Sequence, residues 1–399
     1  MKNNKIWIFG LVGIVLIGVL VYFLLPSSKS SSSGSKNKIN MSKTTDPTQS
    51  PADMTDTTVQ TSDSGDMGIT PKFLLDQYLE WAQYPPHSRP VSNANVDIAE
   101  PFFVMESPLV MVDSPTSKEP NGYKCHFQPK TWAVIGPNSE MYVKLECRDS
   151  ENLTIPIKVN DVRVFREWEE QRFSTVKADF NDDGQDGDEV AKDNIITFRW
   201  RPMKNDWGQM TLEADITYGK ENKKAKVTSS FFSSPNKPAE FTGNFRESMV
   251  DGSLVVYATI QVYKAGNYHL EANLKEAAEG NLLAYATYDG NLKQGSNEVE
   301  FLFYGKILRD KGYDGPYIVT DVRGHRVNLA IDPAWFDQGE EGLKKIQAAK
   351  TTEPDKELVI PFKDEFKTKP YSISQFTKKP WESEDKAKRI KELQELAGK

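Results

Sequence analysis

From about Asn121 to Asn328, apolar and polar residues alternate with a period of two. Tyr123, Cys125 and Phe127 alternate with Lys124 and His126, and Met141, Val143, Leu145 and Cys147 with Tyr142, Lys144 and Glu146. Successive side chains of a strand point to opposite faces, so each run predicts a strand with one face buried. Ile195-Ile196-Thr197-Phe198, Met210 to Tyr218 and Val227 to Phe232 continue the pattern. Turn clusters such as Gly136-Pro137-Asn138-Ser139 and Pro235-Asn236-Lys237-Pro238 divide these runs. An Ig-like β-sandwich over 121–238 is expected. Leu254, Val256, Ala258, Ile260 and Val262 open a second set. Lys264-Ala265-Gly266-Asn267 turns it into Tyr268, Leu270, Ala272 and Leu274, and Leu282 to Tyr288, Val299 to Phe303 and Tyr317-Ile318-Val319 follow. These predict a second sandwich over 239–332.

Helical spacing appears on either side. Phe73, Leu74, Tyr78, Leu79, Trp81 and Ala82 recur as on one helix, which Pro85-Pro86 stops. His87 to Pro120 reads as extended, proline-rich chain, so 71–120 is a short helix followed by a connector. In the tail, 333–399, a short helix is expected within 333–349 and a clear one over Ser383–Ala397. Ser383 is its N-cap, Glu384 and Asp385 complement the dipole, and Gly398 stops it. Its narrow apolar stripe, Ala387, Ile390 and Leu393, suits docking on the body.

The N-terminal end has a different solvent in view. Ile6 to Leu25 is an unbroken apolar run without charge, ended by Pro26. Roughly 20 residues of helix span about 30 Å, the hydrocarbon thickness of a bilayer. Residues 1–26 therefore read as a transmembrane signal anchor rather than a cleaved signal peptide, whose apolar core is shorter. Lysines on both sides leave orientation undecided by charge alone. The expected topology is single-pass, with the C-terminal region outside the cytoplasm. Residues 27–70 are rich in Ser, Thr, Asp, Gly and Pro and lack the apolar content to fold, so they read as a flexible linker. The fold class is thus mainly β: a transmembrane helix, a linker, two tandem sandwiches and a short C-terminal helix.

Composition narrows the chemistry. The chain has 399 residues with a net charge of -7, which gives no basic footprint for nucleic acid. With 2 Cys and 4 His, neither a disulfide-dense scaffold nor a Cys/His zinc module is available. Cys125 and Cys147 fall on the apolar faces of neighbouring strands. They suit a structural disulfide in an oxidising compartment, or otherwise two buried thiols. His87, His126, His269 and His325 are scattered and read as solvated.

Asp179-Phe180-Asn181-Asp182-Asp183-Gly184 opens like the D-x-N-x-D-G of a calcium loop, and Asp186, Asp188 and Asp193 follow. Calcium takes six to eight oxygens, so Asp179, Asn181, Asp183, Asp186, Asp188 and Asp193 are candidate ligands. The match fails at the twelfth position, which is Val190, and the flanks read as strands. A solvated acidic turn is the alternative. Trp168, Trp200 and Trp207 lie near this loop in sequence and would form a sugar platform if exposed on one face. Glu167, Glu169 and Glu170 are a conceivable glycosidase pair with nothing to set their spacing.

The acidic stretch, Asp182-Asp183-Gly184, Gly187-Asp188, Ala191 and Asp193, resembles a pattern in Ig-like sandwiches of exported bacterial proteins of the choice-of-anchor X type. Lys264 to Leu274 resembles the hairpin of that family. Gly305-Lys306-Ile307-Leu308-Arg309-Asp310 with Gly312-Tyr313-Asp314-Gly315-Pro316-Tyr317 resembles its later signature, and Tyr371 to Phe376 with Trp381-Glu382-Ser383 its tail. The resemblance runs from about residue 120 to the end, together with the anchor. It implies an envelope protein of a bacterium with an inner membrane and a periplasm, and it carries over no catalytic residue. No G-x-S-x-G, H-E-x-x-H or phosphate-binding glycine loop occurs. The expected function is non-catalytic: two anchored sandwich modules that bind an envelope protein or glycan. A carbohydrate-binding module and a metal-dependent hydrolase are the alternatives.

Overall fold

The computed structural model describes residues 70–105, 107–113, 119–168, 171–174, 178–329, 331, 333–349 and 353–398. The expected anchor and all but the last residue of the linker lie outside the described residues. Among the described residues no helix is long and apolar enough to cross a membrane.

The first helix, α1 (Pro71–Trp81), is set by its cap. The Thr70 hydroxyl accepts from the Phe73 N–H at 3.1 Å, and Pro71 occupies the first turn, where an N–H has no helical partner. A three-residue strand β1 (Ser88–Pro90), a single-turn helix α2 (Val96–Ala99) and strand β2 (Leu109–Val112) follow. The next strands are β3 (Pro120–Pro129), β4 (Ala133–Ile135), β5 (Met141–Arg148), β6 (Ile157–Trp168), β7 (Gln171–Ser174), β8 (Asp179–Asn181), β9 (Ile196–Trp200), β10 (Gly208–Tyr218) and β11 (Lys223–Ser234).

These make the first sandwich. One sheet runs β2-β3-β5-β9-β8 and the other β4-β11-β10-β6-β7. The period-two pattern is obeyed: Met141, Val143, Leu145 and Cys147 of β5 all point inward and are buried. They meet Val162, Val164, Met210, Leu212, Ala214 and Phe231 of the opposite sheet. Each such side chain, fully buried, contributes about 1.5–3 kcal/mol relative to exposure. Cys125 and Cys147 are direct partners in the β3–β5 register and are joined by a disulfide, both with no exposed surface.

The second sandwich is built from β12 (Ala239–Val250), β13 (Ser253–Val262), β14 (Gly266–Glu276), β15 (Leu282–Leu292), β16 (Gly295–Phe303), helix α3 (Gly305–Lys311) and β17 (Tyr317–Val327). After a 3-10 turn at Pro333–Gln338 come α4 (Gly339–Ala348), β18 (Lys356–Leu358), β19 (Phe366–Lys367), a second 3-10 turn and α5 (Glu384–Ala397). A three-stranded sheet, β12-β13-β16, faces a larger one ordered β1-β15-β14-β17-β18, with β19 also on β17. Leu254, Val256 and Ile260 pack against Leu270, Leu274 and Val319, with Ile307 and Leu308 of α3 closing the core.

The second sandwich draws on more chain than 239–332. Strand β1 adds to one edge of the larger sheet and β18 and β19 to the other, so the connector and the tail are parts of it. Unpaired sheet edges leave backbone groups without partners, and these short strands supply them. Helix α5 packs on α1. Its Ser383 hydroxyl accepts from the Lys386 N–H at 3.1 Å, and Leu393 is buried.

Candidate functional site

The acidic loop forms a turn that satisfies itself. Asp179 and Asp186 face one guanidinium, that of Arg199, at 3.7 and 2.7 Å. Asp188 is largely buried and accepts from the Gly184 N–H at 2.6 Å and the Thr197 hydroxyl at 3.4 Å. Asp183 accepts from the Gln185 N–H, and Asp193 from the Ile195 N–H. The Asn181 amide donates to the Gln185 carbonyl at 3.3 Å, while its Oδ1 is buried without a partner. Positive φ at Gly184, Asp186 and Gly187 makes the turn. At Gly187 a Cβ would stand 2.3 Å from the Tyr142 ring, so only glycine fits.

The five aspartates expected for calcium are therefore turned onto backbone N–H groups, a hydroxyl and a guanidinium, and the Asn181 amide onto a backbone carbonyl, not onto a common point. Among the described residues no three His, Cys, Asp or Glu groups are gathered so as to hold a metal ion. As arranged, these residues do not fit a calcium ion, because Arg199 already supplies positive charge to two of them.

Trp200 and Trp207 do not form a platform. Trp200 is 2% exposed and packs on Phe231 in the core. Trp207 lies under Arg166, whose guanidinium carbon is 3.8 Å from the ring centre. The side chains of Glu167 and Trp168, and all of Glu169 and Glu170, lie outside the described residues.

A different place gathers chemistry. A cleft of about 1230 Å³ lies against the outer face of the larger sheet of the second sandwich. Sheet residues Glu271, Tyr285, Arg323 and His325 line its floor. Phe102, Trp132 and Ile135 bring in the connector and the first sandwich, and Trp81, Trp381 and Lys386 the paired helices and the tail.

The floor follows from strand alternation. In β14, Leu270, Ala272 and Leu274 point into the core, so His269 and Glu271 point out. The register then sets a row that runs diagonally across the sheet. Arg89 of β1 pairs with Tyr285 of β15, which pairs with Asn273 of β14; two residues along β14, Glu271 pairs with Thr287 of β15 and Arg323 of β17, and two further along, His269 pairs with His325. His325 in turn faces Leu358 of β18. Five strands at about 4.8 Å spacing make this row about 19 Å long. Gly324, between Arg323 and His325, allows β17 to lie this close, since a Cβ there would stand 2.3 Å from the His269 carbonyl oxygen.

The row is an interlocked charge network. The Arg323 guanidinium donates to Glu271 at 2.8 Å, and His269 lies 3.3 Å from the other Glu271 oxygen and 2.7 Å from Asp289. The His269 and His325 rings are 5.4 Å apart. Burial pushes the Glu271 carboxyl up, but the His269 hydrogen bond and the Arg323 charge outweigh it and hold the group at about 2. The Glu271 hydrogen bond raises His269, against burial. Burial, with Lys356 and His269 nearby, holds His325 down at about 4 and hence neutral at pH 7. Burial likewise lifts the Tyr285 phenol to about 12.

Aromatic and cationic groups frame the row. The guanidinium carbons of Arg89 and Arg323 stand 5.1 and 5.9 Å from the Tyr285 ring centre. Phe102 and Trp132 stack at 6.4 Å and 7°, and the Lys356 ammonium lies 5.8 Å from the Trp132 ring. The Trp132 indole donates to the Pro101 carbonyl at 2.6 Å, which ties the first sandwich to the connector.

His269 and His325, read from sequence as separate and solvated, are thus joined in one network. The outward alternation of His269 and Glu271 was a readable signal of a polar face. Nothing local marked Arg89, Trp132 or Lys356, which arrive from distant segments.

No family model matches this chain, and no curated protein matches it. Two solved structures are similar in arrangement. One is a DUF4785 family protein from Legionella pneumophila subsp. pneumophila str. Philadelphia 1, at 15% identity over 52% of this chain and 53% of that chain, with a TM-score of 0.38. The other is the FN1-FN3 domains of chicken CNTN1, at 13% identity over 49% of this chain and 58% of that chain, with a TM-score of 0.19. The chain spans little more than half the length of either. These are likenesses among β-sandwich arrangements and bear on nothing further.

Proposed function

We propose that this chain is a membrane-anchored protein of the bacterial envelope, related to the choice-of-anchor X type, whose sandwiches present a non-catalytic binding cleft to the periplasm. The cleft over the larger sheet carries this reading. It combines a volume above that of ordinary small-molecule pockets with aromatic walls and a few convergent polar groups. The apolar run at 6–25, the Ser/Thr-rich tether and the Cys125–Cys147 disulfide support an exported, anchored protein.

The chemistry of the floor favours binding over catalysis. A glycosidase acid needs a carboxyl held protonated near neutral pH. Glu271 is held ionised, and Arg323 and His269 occupy its oxygens. His269 is gripped by two carboxylates, Glu271 at Nε2 and Asp289 at Nδ1, which leaves neither ring nitrogen free for a substrate. The carbohydrate-binding alternative gains from the Phe102–Trp132 pair at the cleft wall.

Co-sedimentation tests the reading. The full chain in mild detergent is spun with membrane-stripped envelope fragments. It should pellet with them, Arg89→Ala in the cleft should remain in the supernatant, and Asp183→Ala in the acidic loop should pellet normally. Equal pelleting of all three proteins would overturn the assignment.

A further inference from the structure

We infer that the cleft takes a carboxylate-bearing oligosaccharide, with Arg89 and Lys356 reading its acidic groups; this rests on the cleft being the binding site.

Three observations lead there. The first concerns unused charge. Arg323 is spent on Glu271, and Lys386 donates to the Trp381 carbonyl and to Glu382. Arg89 and Lys356, by contrast, have no carboxylate partner among the described residues, and each sits beside an aromatic ring. In a chain of net charge -7, two cations left in a cleft are a demand for an anion. Arg89 is exposed, and Tyr285 beneath it orients the guanidinium, whose fork of donors matches a carboxylate in two-point fashion.

The second is the shape of the surface. The floor is the face of a sheet, and its backbone groups are already paired within the ladder. An extended peptide gains its affinity mainly by pairing with a free strand edge, and the interior strands β15, β14 and β17 that make the middle of the floor present none. Recognition falls to side chains: guanidinium and ammonium for carboxylates, neutral His325 for a hydroxyl, and the half-buried Phe102–Trp132 pair for the apolar face of a sugar ring.

The third is extent. The row is about 19 Å long, and the cleft holds about 1230 Å³, which suits several linked rings rather than one. The rim carboxylates, Glu80, Asp97 and Asp385, come from α1, α2 and α5, not from the sheet that carries Arg89. They suit hydroxyl groups, which a saccharide supplies in number.

The test uses the full chain in detergent and four probes in calorimetry: tetragalacturonate, its methyl ester, maltotetraose and tetraglutamate. The ester removes the charge and keeps the rings. Tetragalacturonate should bind at least tenfold more tightly than its ester or maltotetraose, and tetraglutamate more weakly still. Arg89→Gln and Lys356→Gln should each weaken tetragalacturonate at least fivefold and leave the ester unchanged. Both variants should retain the parent unfolding temperature, because neither cation holds an ion pair among the described residues. Equal binding of acid and ester overturns the acidic preference, and tetraglutamate binding as tightly as tetragalacturonate makes the site a peptide site. Absence of binding by every saccharide overturns the inference. If envelope fragments still retain the chain through Arg89 in that last case, the binding reading stands without it. If they do not, both fall.

Discussion

Replacing Arg323 by methionine should destabilise the second sandwich through Glu271, the carboxylate it pairs with on the outer face of the larger sheet. Met keeps the stem and removes the charge, so Glu271 loses one of the partners that hold it ionised. The Glu271 side chain is 20% exposed and that of Arg323 12%, so water can replace the guanidinium only in part. The carboxyl falls from 4.5 to about 2 despite burial, which opposes the change. That change corresponds to roughly 3 kcal/mol. His269, Arg323 and Tyr285 share it, so losing Arg323 should cost about 1–2 kcal/mol at pH 7. Urea unfolding of the full chain, followed by hydrogen exchange in β14 and β17 to isolate the second sandwich, measures it. Adding Glu271→Gln to Arg323→Met removes the stranded charge and should restore more than half of the loss. A single-variant loss under about 0.5 kcal/mol, or a double variant no better than the single, would refute the network as described.

Three further outcomes follow from the same geometry. Because His325 is held near 4 against 6.5 in the unfolded chain, stability should fall as pH drops from about 6.5 toward 4.5, where the unfolded chain takes up a proton that the native one refuses. His269, raised, keeps its contribution throughout that window, and Glu271 loses its own only below about 4.5, so His325→Gln should flatten the slope in urea titrations at pH 6.5 and 4.5. Breaking the Cys125–Cys147 bond, which closes a loop with a separation of 22 residues, should cost the first sandwich about 3 kcal/mol, read as a lower urea midpoint for Cys125→Ser with Cys147→Ser. The unfolding temperature should be the same in EGTA and in millimolar calcium, because Arg199 and backbone donors already satisfy the acidic loop; a rise of several degrees, abolished by Asp183→Ala, would make the loop a metal site after all.

The strands were legible because burial imposes a period of two; β5 follows it residue for residue, and β14 departs from it only at the buried Asn273. The helix caps at Thr70 and Ser383 were legible as local chemistry. The site was legible by half. Alternation places His269 and Glu271 on the outer face of β14, but a sequence pattern does not say which distant strand lies beside them. The pairing of His269 with His325 passes a register irregularity between Glu271 and Asn273, where a slip of one residue would turn His325 inward. Arg89 reaches Tyr285 only because a three-residue strand joins an edge nearly two hundred residues away in sequence, and three residues carry too little pattern to announce it. The acidic loop is ambiguous in sequence for a different reason. Asp and Gly at alternate positions serve a tight turn as well as a cation, and only the position of Arg199, brought alongside by the β8–β9 pairing, separates the two uses.

A binding cleft over the larger sheet should be occupied in the envelope. Hydrogen exchange of the full chain, first in its native membranes and then purified in detergent, reads that occupancy. Exchange in membranes should be slower at residues 88–102, 323–326 and 356–361, an effect lost on purification and absent in Arg89→Ala, with the acidic loop at 179–193 unchanged. Identical exchange of the cleft segments in both settings would contradict it.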